Sequence, residues 1–141
     1  MTAPEFGALL DEVMAGAERF GHREHVHVTW LAVRRAGMPA AIDVVSEGIR
    51  RTARYAGVPQ KYHVTISRAW VELVAVHASD VAEDFAGFLA RNPALLDKRL
   101  LARFYRSSTL ASPAARTGWV EPDLRPLPPA HSVGREQAPA G

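Results

Sequence analysis

A chain of 141 residues and 15.4 kDa holds enough material for one ordinary domain, and its 48% hydrophobic and 23% charged residues exclude uniform disorder. The 17 Lys and Arg exceed the 15 Asp and Glu by only two, and 15 of those 17 are arginine, so the pI near 9.4 is not the basic footprint of a nucleic-acid binder. With no cysteine, disulfide scaffolds, thiolate zinc sites, iron–sulfur clusters and Cys nucleophiles drop out together.

Pro4, Pro39, Pro59, Pro93 and Pro113 each open a stretch with helical spacing, as proline does in a first helical turn, and Gly21, Gly37 and Gly57 close the stretches before them. The first predicted helix, residues 4–20, puts Phe6, Leu9, Leu10, Val13, Met14, Ala17 and Phe20 on one face. A second spans residues 22–36. The third, residues 39–56, aligns Ile42, Val45, Ile49, Ala53 and Ala56, and the fourth, residues 59–78, carries a stripe of His63, Ile66, Trp70, Leu73, Val74 and His77. Asp80 caps a shorter helix to residue 90, Asn92-Pro93 starts another that ends near Tyr105, and a last turn follows Ser112-Pro113. Only His25-Val26-His27-Val28 alternates with period two. The short connections imply antiparallel neighbours, so the expected fold is all-α: a compact bundle of four main helices with two or three shorter ones.

The remaining five prolines fall between Glu121 and Gly141, where neither regular helix nor central strand can form. The expected organisation is a bundle over residues 1–118, an extended Pro-rich strap over 119–130 packed on it, and a disordered tail over 131–141. No apolar run approaches the roughly 18–20 residues of a membrane helix. The start, Met-Thr-Ala-Pro-Glu-Phe, lacks a basic stretch followed by an apolar one. The expectation is a soluble cytoplasmic protein with no membrane and no nucleic-acid partner.

Of six histidines, three cluster in His22-Arg23-Glu24-His25-Val26-His27. Residues three apart on a helix are surface neighbours, roughly 5–6 Å between Cβ atoms, so His22 and His25 share a face. The small residues Thr29, Ala32 and Ala36 continue it. His27 points about 140° away from His22 and reads as solvated. In an up-down bundle the second and fourth helices run parallel, which puts His22, His25 and His63 at one level. Three imidazoles without a cysteine are a ligand set for one divalent transition metal: zinc, iron, copper, nickel or manganese. The positive end of the helix dipole disfavours imidazolium and keeps the rings able to ligate. His77 lies 14 residues past His63, roughly 21 Å along a helix, and reads as a core or boundary histidine.

The segments Phe20-x-His22-x-x-His25-Val26-x-x-x-Trp30, Pro59-Gln60-Lys61-Tyr62-His63-x-Thr65-x-Ser67-x-x-Trp70 and Asn92-Pro93-x-Leu95-Leu96-Asp97-Lys98 resemble a family of small uncharacterised bacterial helical proteins. Its members carry H-x-x-H, Y-H-x-T-x-T and N-P-x-L-L-D-K-like segments, and the likeness spans about residues 18–124. Ser67 stands here for the last Thr of the second segment and keeps the hydroxyl. The resemblance implies a site and no particular reaction, and it favours His22, His25 and His63 over His27 and His77.

Around the three imidazoles, Ser67 lies one turn from His63 and Thr29 one turn from His25, where a hydroxyl supports a ring N–H or a bound water. The competing role of each is a bond to the carbonyl four residues earlier. Tyr62 and Lys61 reach the cleft mouth as proton donor and anion contact, and Glu18 and Glu24 lie near the same end, with Glu24 pointing away. The leading expectation is a metal-dependent enzyme acting on a small molecule, with hydrolase, lyase and oxygenase chemistry all open and homodimerisation allowed. The competing class is a non-catalytic accessory or partner-binding protein with a groove near Trp30 and Trp70. A DNA-binding reading of residues 50–59 as a helix-turn-helix is weaker, because His63 stands where a buried aliphatic belongs. Arg99, Arg103 and Arg106 are expected on a solvated helix face.

Overall fold

Gly37 (φ 81°) and Gly57 (φ 78°) occupy the left-handed region that side-chain-bearing residues avoid, and they set two of the main breaks. Gly37 separates α2 (His22–Ala36) from α3 (Met38–Tyr55), and Gly57 follows the end of α3. The structure, a computed structural model, describes residues 5–78 and 83–128. It is all-α, without strands among the described residues: α1 (Phe6–Met14) precedes α2 and α3, and α4 (Val64–His77) follows a 3-10 turn at Pro59–Lys61. Then come α5 (Phe85–Arg91), two 3-10 turns (Pro93–Leu96 and Lys98–Arg103), α6 (Ser107–Leu110) and α7 (Pro113–Thr117).

α2, α3 and α4 pack on one another, α1 lies against α2 and α3, and α7 against α4. α4 is the centre: residues 69–71 and 73–76 are all buried. From α1, Phe6, Leu9 and Val13 enter the core, and the Phe6 ring occupies the place a side chain on Gly48 of α3 would take. Close approach, not backbone freedom, is what requires a glycine there.

Several boundaries differ from the periodic reading. α1 ends at Met14, because Gly16 and Ala17 bond back three residues, to Val13 and Met14, and unwind the helix. Phe20 is therefore off the helix and 40% exposed. Gly21 does not close α1; it opens α2, donating its N–H to Glu24 Oε1 at 2.9 Å, which is the use of Glu24 in this fold. α4 starts at Val64 and not at Pro59, with His63 as its N-cap. The expected helix from Asn92 to Tyr105 breaks at Asp97, whose extended backbone (φ −89°, ψ 111°) separates the two 3-10 turns and whose carboxylate caps the second through the Arg99 N–H. The shorter helix opens at Asp84, which accepts from the Gly87 N–H; the expected cap Asp80 and the tail over 131–141 lie outside the described residues.

The last described stretch runs back over α4. Thr65, fully buried, donates to Gly118 O at 2.7 Å and accepts from the Val120 N–H at 3.1 Å. Tyr105 donates its hydroxyl to Val120 O, Leu124 N–H bonds Phe104 O, and the Arg68 guanidinium sits 4.1 Å from the Trp119 ring centroid. Trp119 and Leu127 pack on the core, while Leu124 stays 49% exposed.

Candidate functional site

The three histidines do not converge, and the reason is the start of α4. As N-cap, His63 sits before the helix, with its Nδ1 accepting from the Ile66 N–H at 3.1 Å and its Nε2–H donating to Leu110 O at 2.7 Å. Both ring nitrogens are thus committed to protein partners, and neither lone pair is left for an ion. His22 stands elsewhere. Its ring meets the edge of Trp70 at 4.7 Å, and Trp70 is seven residues, roughly 10 Å, further along the chain than His63. The expected trio is thus held by separate partners, His63 by Leu110 and Ile66 and His22 beside Trp70. Among the described residues no group of three His, Asp or Glu side chains is placed to hold a metal ion.

His22 and His25 do lie together, with ring centroids 6.4 Å apart. His22 Nε2–H donates to Leu95 O at 2.9 Å, tying the first residue of α2 to the turn at Pro93–Leu96. The His25 ring packs against Phe20 and His22 and takes no hydrogen bond among the described residues. Burial, with the neighbouring His22 charge adding to it, pushes its pKa down to about 4.

The expected supporting hydroxyls serve other partners. Thr29 is fully buried and donates to His25 O at 2.8 Å, the backbone bond of a helical threonine, so it does not hold the imidazole. Ser67 faces Ser46 of α3, Oγ to Oγ at 3.4 Å. Tyr62 follows the Pro59–Lys61 turn and is half-buried. His27, expected in solvent, stacks face to face on Phe85 at 4.0 Å, and Trp30 and Trp70 are both buried, Trp30 also lining the cleft between α2 and α5. The segments singled out by sequence are thus interlocked: α2 to the Pro93–Leu96 turn through His22, and α4 to α6 and the strap through His63 and Thr65.

A different part of the surface has the shape of a binding site. At the far end of α4 a cavity of about 370 Å³ opens between Leu73 and His77, the Asn92–Leu95 stretch, and the residues Leu100, Arg103 and Phe104, with Pro128 at its edge. It is more enclosed than the clefts along α1 and α3 or between α2 and α5. Leu73, Leu95, Leu100 and Phe104 are all at most 7% exposed and give it apolar walls. His77 spends Nδ1–H on Leu73 O and keeps Nε2; Asn92 spends one of its two amide N–H groups on Phe88 O and keeps the other and its carbonyl oxygen. Arg103 makes no hydrogen bond or ion pair among the described residues. Sequence reading passed over this site because Arg103 looks like one arginine of a solvated face. The available signal is the placement of Asn92 and Arg103 on either side of the Leu95 and Leu100 pair, on a segment too irregular for one helix. The chain matches no family model, no curated protein and no solved structure.

Proposed function

We propose that this chain is a small-molecule-binding helical protein in which the histidine segments serve the fold and the ligand enters the cavity at the end of α4. The observation that carries the reading is the cavity itself: buried leucines and Phe104 beneath, and uncommitted polar atoms of His77, Asn92 and Arg103 at the rim. Concave apolar sites of about 300–1,000 Å³ with a few convergent polar groups are the ordinary form of a small-molecule site. The test uses the neutral fluorescent probe phenylnaphthylamine. The full chain should bind it, and Ala94→Trp, a change at an exposed position on the cavity lining, should abolish the signal while leaving the helical spectrum unchanged. Equal binding by Ala94→Trp refutes the assignment.

A second reading keeps a divalent transition metal on His22 and His25 alone, with water or substrate completing its coordination. The feature favouring it is the unbonded His25 ring beside His22. Stability and metal content separate the roles of the histidines. His63→Ala leaves Leu110 O and the Ile66 N–H without partners and should lower stability by about 1–3 kcal/mol in urea unfolding. Elemental analysis should find no change in metal content with that variant. Stoichiometric zinc uptake lost in His25→Ala and retained in His63→Ala supports the second reading; uptake lost in both while stability is unchanged restores the three-histidine site.

A further inference from the structure

Resting on the cavity as ligand site, we infer that its ligand is a small organic monoanion with an apolar body, a carboxylate held by Arg103 with its alkyl or aryl part between Leu73, Leu95, Leu100 and Phe104. The lining contains two guanidiniums, Arg91 and Arg103, a histidine and an asparagine, and no carboxylate. Arg91 is already satisfied: Nε and one terminal nitrogen bind both oxygens of Glu83 at 3.0 and 2.6 Å. Arg103 has no such partner. Asp97, the acidic group that feels its charge, is held by the backbone N–H and the guanidinium of Arg99 at 2.9 and 3.2 Å. The Arg103 fork is thus the one lining guanidinium with its donors uncommitted among the described residues.

A planar guanidinium with five donors matches a carboxylate through two parallel bonds, and a site with apolar walls strengthens that pair. A cationic ligand would meet the Arg103 charge at the rim with no lining carboxylate to offset it, and a neutral one would leave the Arg103 fork unused. A phosphoester is less well matched, since it asks for more donors than one uncommitted fork offers, and of the two Asn92 amide N–H groups one is spent on Phe88 O. The acceptor sites that remain, the Asn92 carbonyl oxygen and His77 Nε2, suit a hydroxyl or N–H on the ligand body beside the carboxylate.

Calorimetric titration of the full chain with octanoate, octanol and octylammonium tests the inference. Octanoate should bind about tenfold or more tighter than octanol, the scale of a charge-assisted bond, and octylammonium should not bind. Arg103→Gln should bring octanoate down to the octanol level and leave octanol unchanged, with Arg103→Lys in between. Octanol binding as tightly as octanoate, both lost in Ala94→Trp, overturns the anion assignment and leaves the cavity reading standing. Octanoate preference that survives in Arg103→Gln overturns it as well. Binding of none of the three, together with no phenylnaphthylamine signal, removes the cavity reading itself.

Discussion

Burial keeps the His25 imidazole neutral in the folded chain, and the direction of its shift fixes how stability must vary with pH. Its pKa falls from the ordinary 6.5 to about 4, first because packing removes water from the ring and second because His22 is close. Between those two values the unfolded chain binds a proton at this residue and the folded chain does not. The contribution is therefore complete above the unfolded value and is lost as pH falls from about 6.5 toward 4, amounting to roughly 3 kcal/mol over the whole interval. His27, also depressed by burial and by Arg23, acts in the same direction. Urea midpoints measured at about pH 7 and pH 4.5 should drop markedly for the native chain and much less for His25→Gln, which has no proton to gain. Equal drops in both would place the acid sensitivity elsewhere.

At the level of elements, the clasp between α4 and the stretch after α7 is the contact most open to measurement. Thr65 is a donor to Gly118 O and an acceptor from Val120 N–H, both in a fully buried position, so Thr65→Val keeps the shape and strands two backbone groups. We expect a loss of about 1–3 kcal/mol. A chain ending at Gly118 removes Val120, Trp119 and Leu127 together and should lose several kcal/mol, with hydrophobic surface exposed to association. Both are read by urea unfolding and sedimentation; a truncated chain that unfolds like the whole one and stays monomeric would mean that the strap contributes nothing.

The same elements show what a sequence carries and where it stops. α2 and α3 lie close to the positions their apolar spacing predicts, because glycine at residue 37 and proline at residue 39 mark the break chemically. The start of α4 was illegible for a physical reason: Pro59 has the form of a first-turn proline, yet the helix waits for an N-cap. That cap is a histidine, a type outside the usual Ser, Thr, Asp and Asn. Leu95, Leu100, Leu101 and Phe104 are buried, and their spacing serves a helix and a pair of 3-10 turns equally well. The candidate metal set depended on the relative height of two helices, which no local pattern encodes, and the backbone partners of His22 and His63 lie 73 and 47 residues away in sequence. The cavity was illegible for a similar reason, since its walls come from α4 and from irregular turns that only tertiary packing places side by side.

Among the described residues one core cluster runs from Phe6 to Tyr105, and α4 touches α2, α3 and α7 at once, so these elements share their apolar interior. Unfolding should accordingly be one cooperative transition. The tryptophans make this checkable: Trp119 reports the strap, while Trp30 and Trp70 report the centre. Fluorescence and far-UV circular dichroism should give coincident urea curves. An earlier fluorescence transition would mean that the strap opens on its own.

The clasp also has a bearing on how the chain is made. A ribosome delivers Thr65 long before Gly118, 53 residues later, and His63 long before Leu110. Until those carbonyls emerge, the partners that bury the Thr65 hydroxyl and the His63 N–H do not exist, and an unpaired buried polar group is costly. The nascent α2–α4 layer therefore cannot close over its own polar atoms, and it presents the surface that the strap and α7 later cover. Closure of the domain waits for the residues from α6 onward, and a chain halted before residue 118 leaves that surface open to chaperones and proteases.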